Sequence, residues 1–130
     1  MKFAKIVFLI AGIYGLIVLL PMYFLEQRTG VDSPPPVTHP EFYYGFISVA
    51  LAWQVLFLIL SKDPIRYRPM IIPALLEKIG FPIAAVILYL QNRVSPIIFA
   101  PAGMDLILFV LFVLAYRATR SRRGTQIHVK

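Results

Sequence analysis

Apolar residues along this chain fall into four blocks, over residues 3–25, 43–60, 71–91 and 101–117, separated by short stretches that carry nearly all the charge. Each block is close to the roughly 20 residues that an α-helix needs to cross about 30 Å of hydrocarbon at 1.5 Å per residue. The predicted fold class is therefore all-α: a polytopic membrane protein, one four-transmembrane-helix bundle over residues 1–130 that ends in a basic tail at 118–130. The fourth block is the shortest, so either Arg117 snorkels or the helix starts earlier, within Pro96-Ile97-Ile98-Phe99.

The connections span residues 26–42, 61–70 and 91–100. The first contains Asp32-Ser33-Pro34-Pro35-Pro36, where successive prolines favour an extended polyproline conformation. No internal repeat is visible, which argues against an inverted-repeat transporter within one chain. The opening Met1-Lys2-Phe3-Ala4-Lys5 and the apolar run behind it have the order of a secretory signal. That run continues into Pro21-Met22-Tyr23 without a small-residue cleavage site, so it is expected to remain as the first helix.

Composition agrees with the blocks. Hydrophobic residues make up 59% of the chain and the mean hydropathy is +0.77, which leaves too much apolar surface for a soluble domain of 130 residues. A net charge of +7 would suit nucleic acid only on a continuous basic face, and the apolar blocks interrupt any such face. The charge instead reads as topology. With the N-terminus inside, ten basic residues (Lys2, Lys5, Lys62, Arg66, Arg68, Arg117, Arg120, Arg122, Arg123 and Lys130) fall on the cytoplasmic side, against Arg28 and Arg93 outside. Both termini are then cytoplasmic, with phospholipid as the surrounding partner. The chain has no cysteine, which excludes thiol chemistry and thiolate metal sites and leaves the redox compartment open.

Two packing signals stand out. Small residues four apart (Ala11 and Gly15, Ser48 and Ala52, Gly80 and Ala84) would let helix backbones approach closely. The block around Leu106–Leu114 is bulky on every side and is expected to form the lipid-facing flank. Tyr23, Tyr43, Tyr44, Tyr67, Tyr89 and Tyr116 lie near block ends, as an interfacial aromatic belt requires.

Candidate chemistry centres on Glu77 and Lys78. Starting the third span beyond Lys78 leaves it too short to cross, so an ionisable site in or near the membrane is hard to avoid. Charges there cost at least roughly 2.5 to 3.5 kcal/mol each on insertion scales, and they usually face protein, water or a partner. Pro82 cannot donate to the Lys78 carbonyl, which leaves an acceptor open at the same level. Neighbours on a helix point about 100° apart, so one of the two charges is expected to turn inward while the other snorkels. Gln54 lies at a similar depth, where a Gln54–Glu77 hydrogen bond is geometrically reasonable, and Trp53 stands beside it.

The competing reading pairs Glu77 and Lys78 with Arg66, Arg68 and lipid headgroups near the cytoplasmic surface. Asp105 is expected near the outer end of the fourth helix, complementing its dipole or forming a separate site near Tyr89 or Glu26. Glu26, Asp32, His39 and Glu41 in the first connection have no metal-ligand spacing, so no metal and no cofactor is expected. Arg66, Arg68, Arg117, Arg120, Arg122 and Arg123 are assigned to lipid headgroups.

Phe42-Tyr43-Tyr44-Gly45-Phe46, Ala52-Trp53-Gln54, Asp63-Pro64-Ile65-Arg66-Tyr67-Arg68-Pro69-Met70 and Pro73-Ala74-Leu75-Leu76-Glu77-Lys78 together resemble a group of uncharacterised small bacterial four-helix membrane proteins. That resemblance implies an inner-membrane location and no particular activity. Small multidrug-resistance exporters share the size and helix count, but they need a glutamate midway along the first helix, where this chain has Ile10-Ala11-Gly12-Ile13-Tyr14-Gly15. Four-helix sterol isomerases use acids and aromatics in the bundle, for which Glu77, Asp105 and Trp53 are loose counterparts without a matching motif.

With no reaction motif in the chain, the expectation is a non-enzymatic accessory or ligand- and lipid-binding membrane subunit. A small transporter or channel component acting as a homo-oligomer, and a lipid-modifying isomerase-like enzyme, are the alternatives.

Overall fold

A computed structural model describes residues 2–128, with side chains for residues 2–120. The described residues form helices and no strand: α1 (Lys2–Met22), α2 (Glu26–Asp32), α3 (Pro40–Lys62), α4 (Ile71–Leu90) and α5 (Phe99–His128), with 3-10 turns at Arg68–Met70 and Pro96–Ile98. Four of these helices, α1, α3, α4 and α5, are long and apolar enough to cross a membrane.

Local chemistry sets the helix ends. Pro40 occupies the first turn of α3, where its missing N–H costs nothing. Beyond α3, Pro64 blocks continuation and the Asp63 carboxylate accepts from the Arg66 N–H at 3.1 Å. α4 stops in a Schellman arrangement: Asn92 takes a left-handed φ of 57°, Asn92 N–H donates to Tyr89 O and Arg93 N–H to Leu88 O. Ser95 then caps the turn that leads into α5 by accepting from the Ile97 N–H. The fourth helix thus begins earlier than residue 101 and runs on to His128, its membrane-length apolar stretch ending at Arg120.

The first connection is helical ahead of its proline run, a helix the hydropathy pattern does not predict. Residues 26–32 form the short helix α2, whose Glu26 complements the N-terminal dipole and whose Arg28 pairs with Asp32 at 3.1 Å. Bends follow at residues 33–35. Gly30 is buried against them, with room for a Cβ only 3.0 Å from the Pro36 Cα.

The four long helices run up, down, up and down. α1 packs extensively on α3, α4 on α5, and α1 joins the two pairs through α5; α3 and α4 barely touch, although they are consecutive. The hydrophobic core lies at the end that carries Lys2, Lys5, Lys62, Arg66 and Arg68, called here the basic end. Its centre is three phenylalanines from three helices, with Phe112 4.7 Å from Phe8 and 5.1 Å from Phe57 between ring centroids. Val7, Ala11, Leu60, Ile71, Ala74, Leu108 and Ala115 close around them.

Two packing expectations are corrected. The Leu106–Leu114 stretch is not a uniformly outward flank, because Leu108 and Phe112 are buried in that core; helical geometry gives even an all-apolar segment one inward face. Of the small-residue pairs, only Ala11 and Gly15 are buried at a helix contact. Ser48, Ala52, Gly80 and Ala84 are exposed, and a Cβ at Gly80 would meet nothing within 4 Å. α3 and α4 turn other residues inward: Ile47, Ala50, Gln54 and Phe57 on α3, and Ala74, Lys78, Pro82 and Ala85 on α4.

Candidate functional site

Above Phe57 the close packing ends and the helices part around a cavity of about 420 Å3. Its walls come from the second half of α1 (Tyr14, Gly15), the first half and middle of α3 (Phe46, Ala50, Gln54), the middle of α4 (Glu77, Lys78, Phe81) and the start of α5 (Asp105). The wall is incomplete where α3 and α4 diverge, since Phe46 and Phe81 both line the cavity and remain exposed. An adjoining groove on α3, containing Phe42, Val49 and Trp53, reaches the same Glu77.

Lys78 forms the floor. Its Nζ stands 3.5 Å from Glu77 Oε2 and 3.4 Å from Asp105 Oδ1, to which it also donates a hydrogen bond. It lies 5.2 Å from the centroid of the Phe57 ring, so the cation caps the aromatic core while facing the carboxylates. The lysine side chain is 7% exposed, against 20% for Glu77 and 24% for Asp105. The ammonium is therefore the deepest charge of the three.

This arrangement corrects three expectations. Glu77 and Lys78 do not divide into an inward and an outward residue: both line one cavity, because the four-carbon lysine stem bends back across the 100° between neighbours. Asp105 does not form a separate site. The early start of α5 lowers Asp105 about 9 Å along the helix from Phe99, while Lys78 rises about 10 Å from Ile71 on the antiparallel α4, and the two meet near mid-bundle. Neither acid pairs with Arg66 or Arg68.

The expected Gln54–Glu77 hydrogen bond is also absent. Gln54 is 2% exposed and its Nε2 donates to the Ala50 carbonyl of its own helix at 2.9 Å. Its Oε1 lies over Gly15, where a Cβ on α1 would collide with the carboxamide. Among the described residues neither Gln54 Oε1 nor Glu77 Oε2 has a hydrogen-bond partner, and both are buried. Gln54 Oε1 is thus a buried acceptor without a donor, which is costly in an apolar interior, while Glu77 Oε2 keeps the Lys78 ammonium at 3.5 Å.

Trp53 lies beside this site. It packs on the core near Phe57, at 6.4 Å between ring centroids, and lines the adjoining groove instead of the cavity. Gly15, Tyr14, Phe46 and Phe81 are lining residues that the sequence did not single out for a site. Gly15 alone carried a signal, as one of a small-residue pair.

The basic residues divide. Arg68 is an internal fastener: its guanidinium lies 3.6 Å from the Tyr116 ring centroid, donates to Tyr116 O at 3.1 Å and 3.2 Å, and donates to Thr119 Oγ1 at 3.2 Å. It therefore ties the start of α4 to the last described turns of α5. Arg66, Arg117 and Arg120 are exposed and stay available to headgroups. Arg122 and Arg123 lie outside the residues whose side chains are described.

At the opposite end the tyrosines are structural. Tyr43 donates to Met22 O at 2.7 Å, Tyr44 to Glu26 Oε2 at 2.8 Å, and Tyr23 shares a 2.7 Å bond with Ser48. These contacts clamp the α1–α3 turn over α2. The acids and histidine of the first connection are taken up separately: Glu26 by Tyr44, Asp32 by Arg28 and His39 by Glu41.

Comparison with protein-family models, with curated proteins and with solved structures finds no match for this chain.

Proposed function

We propose that this protein is a membrane-embedded binding protein which takes an apolar molecule with a hydrogen-bond-donating head from the bilayer, through the gap between α3 and α4. The supporting observation is the coincidence of a 420 Å3 cavity, within the range of small-molecule pockets, with two partly exposed carboxylates, Glu77 and Asp105, in its lining. The exposed rings of Phe46 and Phe81 at the gap suit entry of an apolar body from lipid. In this reading the bundle sits in a bacterial inner membrane with its basic end, and both termini, on the cytoplasmic side. The protein acts as an accessory or binding subunit, akin to the small four-helix membrane proteins that its central half resembles.

A long-chain alcohol bearing a diazirine tests the reading. In nanodiscs, irradiation should label peptides containing Phe46, Ala50 and Phe81. Ala50→Phe, which fills the cavity, should abolish that labelling while leaving thermal unfolding cooperative. Equal labelling of the folded Ala50→Phe variant, or labelling spread evenly over outward faces, overturns the proposal.

A further inference from the structure

The cavity holds charges that do not balance. Among its lining residues Glu77 and Asp105 are the carboxylates and Lys78 is the cation; α1 and α3 contribute no charged side chain. One ammonium placed 3.5 Å and 3.4 Å from two carboxylates leaves a formal charge of −1 in a low-dielectric setting. Lys78 engages both acids at nearly equal distance, and the Glu77 and Asp105 side chains stay partly exposed, so the excess carboxylate charge faces the cavity they line.

We propose that the head of the bound molecule is a protonated amine: the site selects an apolar compound carrying a primary or secondary ammonium group over a neutral or anionic one of the same shape. This rests on the binding reading above and adds to it the charge of the ligand. An ammonium N–H group can donate to the partly exposed carboxylates of Glu77 and Asp105, and its charge offsets their excess over Lys78. The rings of Tyr14, Phe46 and Phe81 around the cavity suit a cation on an apolar body. An anionic head would meet two carboxylates around a lysine they already engage. A neutral alcohol would satisfy the acceptors and leave the charge standing.

The experiment compares a diazirine-bearing long-chain primary amine with the alcohol of equal length, in nanodiscs of zwitterionic lipid so that surface charge does not enrich the amine. The amine should label the cavity peptides about tenfold more efficiently than the alcohol. Asp105→Asn, which keeps Lys78 paired with Glu77, should bring the ratio of amine to alcohol labelling, measured within that variant, down to about one, and Glu77→Gln, which keeps Lys78 paired with Asp105, serves as a second variant should the first unfold.

Equal labelling by amine and alcohol in the wild-type protein overturns the charge assignment and leaves the binding function standing, with a proton as the compensating charge. Absence of cavity labelling by either probe overturns both. A preference that survives in both folded single variants also overturns the assignment, because the excess carboxylate would then not be its source.

Discussion

The two ends of the bundle are built on opposite plans. At the basic end, Phe8, Phe57 and Phe112 interlock with Ala4, Ile71, Ala74 and Ala115, all essentially buried, and Arg68 fastens α4 to α5. Toward the other end the same four helices leave a hollow lined by three charges and a glutamine. The same chain thus closes one half and opens the other. In a bilayer the packed half is held by dispersion between close surfaces, since lipid offers little hydrophobic drive between helices. The hollow half forgoes that packing and relies on the clasp of Tyr23, Tyr43 and Tyr44 over α2. That clasp ties α1 to α3 and leaves α3 and α4 apart.

Mutations on either side of the boundary test that contrast. Phe112→Ala removes the ring shared by both aromatic contacts and should cost about 4 kcal/mol, read from unfolding in detergent. A loss below about 1 kcal/mol would show that the basic end is not the stabilising half. Lys78→Met leaves two carboxylates facing each other at the boundary and should cost about 3 kcal/mol. Combining it with Glu77→Gln and Asp105→Asn should recover most of that stability, because a neutral trio no longer holds uncompensated charge; failure to recover would mean that Lys78 matters as packing.

Gly15→Ala places a methyl where the Gln54 carboxamide lies and should cost about 1 to 3 kcal/mol through overpacking. Gln54→Ala in the same background should relieve much of it, since the two residues share the space. Arg68→Ala removes bonds to Tyr116 and Thr119 together with the stacking, for about 1 to 2 kcal/mol, and hydrogen exchange should rise first at the start of α4. Smallest of all, Phe46→Ala on the hollow side should change stability by less than about 0.5 kcal/mol while altering probe labelling. A large stability loss there would erase the contrast between the halves.

Much of this arrangement was legible before the fold was known. Span lengths placed both ends of α1, α3 and α4 and the start of α5 to within a few residues, while α5 runs on past residue 117 to His128, and the charge of Lys78 marked the level of the site. Gln54 and Glu77 both line the cavity but do not share the expected hydrogen bond, since Gln54 finds its donor role within α3, on the Ala50 carbonyl. Asp105 was misplaced because the start of α5 depends on the Ser95 cap and the Pro96 turn, and two residues at that end shift depth by about 3 Å. Arg68 was read as a headgroup contact because its partners, Tyr116 and Thr119, are about fifty residues distant along the chain.

By itself the sequence determined the number of long apolar helices, their alternating direction, the clustering of basic charge at one end and the presence of charge within the third of them, because these follow from hydropathy and segment length. Tertiary structure alone decided which face of each helix turns inward, that α3 and α4 stand apart, and that one lysine serves two carboxylates from different helices. Those outcomes depend on helix rotation and relative register, and in segments apolar on every side no local pattern specifies either.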